Sequence, residues 1–127
     1  MIGFVMIGAN DLESSAKFYD TILKTVGLVK IYSDEKRIGY GENNESDIEF
    51  YITIPANKEA ATYGNGTQIS FLVKTRAEVD KFHEIAMAND AKNGGLPGVR
   101  PAGANEYYAY IRDPDGNKIC AYTNSEN

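Results

Sequence analysis

"GTQISFLVKTRAEVDKFHE", Gly66–Glu84, overlies an earlier part of the same chain without a gap. Moved back 64 positions, its Gln68–Glu84 portion falls on "FVMIGANDLESSAKFYD", Phe4–Asp20. Val5 meets Ile69, Ile7 meets Phe71, Asp11 meets Thr75, Phe18 meets Phe82 and Asp20 meets Glu84. Identities are few; the shared feature is a pattern. In the first copy a short β-forming run, Phe4–Ala9, precedes a capping Asn10-Asp11, whose side-chain oxygens can accept from the first free helical N–H groups. Leu12, Ala16, Tyr19, Leu23 and Val26 then recur at spacings of three and four, an apolar helical stripe that Gly27 can stop. The second copy repeats the plan. Gln68–Val73 is the strand, Thr75 and Glu78 form a capping box, and Val79, Phe82 and Ala86 line the buried helix face.

Strands fill the rest of each half. Leu28–Tyr32, Arg37–Tyr40 and Ile48–Ile54 complete the first, and Tyr107–Arg112 and Lys118–Tyr122 flank the turn Asp113-Pro-Asp-Gly-Asn117 in the second. Residues 56–66 are polar and join the halves, and residues 90–106, "DAKNGGLPGVRPAGANE", read as a long Gly/Pro-rich loop, either a lid or a substitute for a strand. The expected fold is therefore α+β: a single domain over 1–127 built of two βαβββ modules, about 1–58 and 66–124, curled into an open half-barrel with helices outside and a cavity within.

Composition narrows the partners. A chain of 127 residues with 43% hydrophobic and 24% charged residues is long enough for a core. Its net charge of -5 lacks the basic footprint of a nucleic-acid or anionic-membrane binder. No apolar run approaches the roughly 18 residues of a membrane span. The N-terminus lacks a basic leader segment, and one cysteine, Cys120, fits a reducing compartment, so a cytoplasmic location is expected.

The stretches "NDLESSAKFYDTIL", "GNGTQISFLVKTRAEVDKFHEIAM" and "YYAYIRDPDGNKICAY" together resemble the glyoxalase/bleomycin-resistance/extradiol-dioxygenase (vicinal oxygen chelate) superfamily, and its short lactoylglutathione-lyase-like bacterial proteins most of all. The resemblance covers essentially the whole chain. It implies a cavity in which equivalent strand positions of the two modules hold a divalent metal that polarises two adjacent substrate oxygens. It also implies a homodimer that completes or walls that cavity. Carried onto this chain, the ligand positions fall at Phe4, Gln68, Cys120 and either Tyr51 or Glu49. Phe4 cannot ligate a metal, so the pattern departs from the family's usual His/Gln and Glu ligands.

Strand alternation puts Val5, Ile7, Ile69, Phe71 and Val73 beneath the helices and Phe4, Met6, Gln68 and Ser70 on the cavity side. The expected pocket lining is Phe4, Met6, Tyr51, Gln68, Ser70, Tyr108, Tyr110 and Cys120. The preferred reading is a metal-free protein that binds a small molecule, with no cofactor. One alternative is a lyase, isomerase or dioxygenase holding zinc, nickel or manganese on Gln68, Cys120 and Glu49. Another is a non-enzymatic interaction protein. Tyr107 shares the opposite strand face with Ala109 and Ile111. Arg100 is either solvated or available to an anionic ligand. The lone His83 reads as a structural helix residue outside the cavity, and Cys120 as a buried, inert thiol.

Overall fold

The computed structural model describes residues 1–127, with the elements β1 (Val5–Gly8), α1 (Leu12–Ile22), a 3-10 turn (Leu23–Val26), β2 (Val29–Ser33), β3 (Arg37–Gly41), β4 (Phe50–Thr53), β5 (Ile69–Leu72), α2 (Arg76–Ala88), β6 (Lys92–Val99), β7 (Tyr107–Arg112) and β8 (Lys118–Thr123). They make two open four-stranded sheets of the same plan, ordered β1-β4-β3-β2 and β5-β8-β7-β6. In each, the first strand runs parallel to the last of its module and the other pairs are antiparallel. This is the expected α+β arrangement of two βαβββ modules.

Local chemistry sets the helix ends. The Asp11 side chain accepts from Ser14 N, and Thr75 with Glu78 forms the full reciprocal capping box. Gly27, at φ 85°, ends the 3-10 turn in the left-handed region, where a side chain would be strained. The helix-facing residues of both sheets enter one core, in which Ile7, Phe18, Tyr19, Phe50, Phe82 and Ile119 are all buried. Phe50 joins the two parts of this core, touching Tyr19 at 5.2 Å in its own module and Phe71 of the second module at 5.5 Å.

A polar latch also joins the modules at the β7–β8 turn. The buried Tyr19 hydroxyl donates to Asp113 Oδ2 at 2.5 Å. Asn117 Nδ2 donates to the same oxygen and to Gly8 O, while Asn10 N and Nδ2 donate to Asp115 Oδ1. Burial pushes the Asp113 carboxyl up despite these donors, and burial and the Asp113 charge hold the Tyr19 proton on. A turn legible in the sequence as a hairpin signal is thus also the joint between the modules.

The reading of residues 90–106 as a loop is corrected: Lys92–Val99 is an eight-residue strand paired with β7. It is an edge strand with register shifts between Asn93 and Gly95 and between Gly95 and Gly98. An edge position tolerates Pro97 and the glycines that masked it in the sequence.

Candidate functional site

Each sheet has one face under the helices and one that is open. Ile7 is buried on the helix side, whereas Phe4 is 55% and Met6 42% exposed on the other. Leu72 is 61% exposed on the open face of the second sheet, the face that also carries Ser70.

On that face the pairing registers bring side chains into rows. Ser70, Cys120 and Tyr110 are direct neighbours across β5, β8 and β7, and Leu72, Tyr122 and Tyr108 form the next row. Tyr108 stacks on Tyr110 at 5.9 Å and on Tyr122 at 5.1 Å, with ring planes within 16° and 18°. Tyr108 is thus the middle ring of a set of three. The hydroxyls of Tyr19, Tyr32, Tyr40 and Tyr107 all donate to carboxylates, whereas those of Tyr51, Tyr63, Tyr108, Tyr110 and Tyr122 have no partner in the chain. Burial raises the Tyr108 and Tyr110 phenols, so these hydroxyls remain donors at neutral pH.

Arg100 lies over the Tyr110 ring at 5.2 Å, and Lys118 at 4.9 Å. The Arg100 guanidinium is not simply solvated: it donates to Tyr108 O at 2.8 Å and also to Leu96 O. Gly95 makes room for both groups. A Cβ there would stand 2.9 Å from the Tyr110 ring and 3.3 Å from Arg100.

The first sheet has a smaller aromatic group. Phe4 meets Tyr51 edge to face at 5.1 Å, and Met6, Tyr51 and Gly39 are register neighbours. A Cβ on Gly39 would stand 3.1 Å from the Tyr51 ring. A cavity of about 860 Å³ lies at the seam between the modules, lined among others by Lys24, Glu49, Ser70, Leu72 and Lys74. Of the eight residues expected to line a pocket, Ser70 alone borders this cavity. Phe4, Met6 and Tyr51 gather on the first sheet, and Gln68, Ser70, Tyr108, Tyr110 and Cys120 belong to the second module.

As a donor set for a divalent ion, Gln68, Cys120 and Glu49 do not fit. Glu49 borders the seam cavity, while Gln68 and Cys120 do not. Gln68 Nε2 donates to Ser70 Oγ at 2.9 Å. Cys120 is fully buried, and burial pushes its thiol up, away from the thiolate that binds soft metals. Phe4 packs on Tyr51 instead of offering a donor. No group of three or more His, Cys, Asp or Glu side chains converges into a metal-holding cluster.

His83 is buried on α2, with Nε2 2.9 Å from Asn93 Oδ1, and so helps to seat β6. Tyr107 lies on the helix side, donating to Asp80 of α2 at 2.7 Å. Sequence reasoning missed a row of cations, Lys92, Arg112 and Lys118, which the registers of β6, β7 and β8 place side by side. The only sequence signal was a basic residue on each strand where it meets the β7–β8 turn. No helix is long and apolar enough to cross a membrane.

The model of the Glyoxalase/Bleomycin resistance protein/Dioxygenase superfamily matches residues 1–121. A glyoxalase/bleomycin resistance protein from Albidiferax ferrireducens T118 is 40% identical, with 97% of this chain and 98% of that one covered at a TM-score of 0.84. A glyoxalase-related enzyme from Fulvimarina pelagi (21% identical, 97% and 87% covered, TM-score 0.75) shares the fold. So does a lactoylglutathione lyase from Agrobacterium tumefaciens (21% identical, 97% and 92% covered, TM-score 0.68). With the family model spanning nearly the whole chain and both modules in place, this chain belongs to the Glyoxalase/Bleomycin resistance protein/Dioxygenase superfamily.

Proposed function

We propose that this chain is a metal-free small-molecule-binding member of its superfamily, holding its ligand on the open face of the second sheet. The observation that carries this reading is the stacked set Tyr108, Tyr110 and Tyr122, whose hydroxyls have no partner in the chain. A rigid aromatic surface with unused donors suits a small organic ligand better than solvent. Ser70 and Cys120 sit beside it in register, and Gly95 and Arg100 hold Tyr110 in place.

The same reading includes a homodimer. The chain exposes 7534 Å², whereas a compact monomer of its 14.0 kDa mass would expose about 6,700 Å². An open two-sheet fold leaves this extra surface uncovered. The exposed Phe4, Met6 and Leu72 supply apolar surface for a second copy to cover.

Elemental analysis of the tag-free protein tests the metal-free claim, after zinc, nickel and manganese have been offered and the excess removed. The expected result is far less than one ion per chain. About one bound ion per chain, lost on Cys120→Ala, would instead support a lyase, isomerase or dioxygenase built on Gln68, Cys120 and Glu49.

A further inference from the structure

The cation row beside the tyrosines carries a further step, which rests on the binding reading above. Lys92 stands directly opposite Arg112, and Arg112 directly opposite Lys118, on three neighbouring strands. Like charges in direct cross-strand register destabilise a sheet. Yet none of the four strands of this sheet carries an Asp or Glu, in a chain with 18 acidic residues against 13 basic ones. None of Lys92, Arg100, Arg112 and Lys118 forms an ion pair; the chain's ion pairs are Lys17–Glu13, Lys30–Asp20 and Lys81–Glu84.

The geometry also leaves donors to spare. Arg112 lies over the Tyr63 ring at 5.5 Å and donates Nη1 to Gly116 O at 3.0 Å, which leaves its other N–H groups free. Lys92 and Arg112 border a pocket of about 360 Å³, together with Tyr63 and Asn65. Asp113 also borders it, but its carboxylate is already occupied by Tyr19, Asn117 and the backbone of Asp115. Lys118 connects this pocket to the tyrosines, since its ammonium lies over Tyr110 and its register partner is Arg112.

We propose that the ligand of this face is a planar aromatic anion, a carboxylate or phosphate ester, whose acidic group is taken by Lys92, Arg112 and Lys118 and whose ring packs beside Tyr108, Tyr110 and Tyr122. The anion relieves the repulsion within the row. Arg112 supplies a fork of N–H groups that matches two acidic oxygens, and the lysines supply point charges. The unpartnered tyrosine hydroxyls add donors of the same sense.

A matched pair of probes separates this inference from the reading beneath it: 2-naphthoate, and the neutral 2-naphthamide of nearly the same shape. Affinity is read by titration calorimetry at low salt. Hydrogen bonds to charged groups are stronger than neutral ones, so naphthoate is expected to bind roughly tenfold tighter than naphthamide, a difference of about 1.4 kcal/mol. Lys92→Gln with Lys118→Gln, which keeps Arg112, narrows that preference by weakening naphthoate far more than naphthamide, which has no charge for the lysines to take. Both lysines are outside the core, so the double variant folds as the parent does, which circular dichroism verifies. Tyr108→Ala weakens both probes alike. Equal affinity of the parent for the two probes would overturn the anion inference while leaving the small-molecule site standing. Failure of both probes at millimolar concentration would overturn the inference and the site together.

Discussion

Removing one oxygen, by Tyr19→Phe, tests the latch that joins the two modules. The ring stays in place, since Phe keeps the contacts with Phe18 at 5.1 Å and Phe50 at 5.2 Å. Only the hydroxyl's bond to Asp113 Oδ2 is lost, and both groups are buried, at 0% and 4% exposure. A buried hydrogen bond to a charged acceptor contributes about 1.5–3 kcal/mol. Asp113 Oδ2 keeps Asn117 Nδ2, and Oδ1 keeps the N–H groups of Asp115 and Asn117. The orphaned acceptor is therefore only partly deprived, and a loss of about 2 kcal/mol is expected. With a urea slope of about 1–3 kcal/mol per molar, the unfolding midpoint at pH 7 drops by roughly 1 M. Circular dichroism through a urea series measures it. The pH dependence adds a second check. Tyr19 keeps its proton in the fold well above the ordinary value of 10.0, because of burial and the Asp113 charge. Its contribution is complete below pH 10 and falls as the pH rises further, because the unfolded tyrosine ionises while the folded one does not. Phe has no such proton, so the gap between parent and variant narrows above pH 10. A loss under 0.5 kcal/mol at pH 7, or a gap that widens with alkali, would refute the latch.

Two further outcomes follow from neighbouring chemistry. Asp34 accepts from the Tyr32 hydroxyl and from the N–H groups of Lys36 and Arg37, which lowers its carboxyl to about 2. Carboxyl NMR should place its midpoint there, so the stability it gives the β2–β3 turn is present above about 3.8 and fades as the pH falls through about 2; a midpoint near 3.8 would contradict the turn geometry. The buried Cys120 thiol, raised by burial, should resist a thiol reagent such as dithionitrobenzoate at pH 8 in the native protein and react at once in urea. Rapid native labelling would mean that the side chains around Cys120 on that face do not shield its sulfur.

The parts of the fold that depend on local chemistry could be read from the chain. The repeat at Phe4–Asp20 and Gln68–Glu84 became β1–α1 and β5–α2, and the Thr75–Glu78 box formed as its spacing requires. Alternation assigned the faces, with Ile7 and Val73 buried and Phe4, Met6 and Ser70 outward. The edge strand β6 was illegible for a physical reason. Gly94 and Gly95 make room for the neighbouring Tyr110 and Arg100 rather than serve the strand's own pattern, so no alternation marks it. The latch was half visible. Tyr19 stood in an apolar stripe with a hydroxyl to satisfy, but its partner lies 94 residues away. The cation row depends on register between three strands, which no single segment of sequence carries.

The most direct test of the central claim is binding of 2-naphthoate measured twice, once in excess chelator and once with zinc supplied. A metal-free site on the tyrosine face predicts the same affinity in both, and its loss on Tyr108→Ala. Binding that vanishes with chelator, returns with zinc and ignores Tyr108 would contradict the account and return the chemistry to a metal centre.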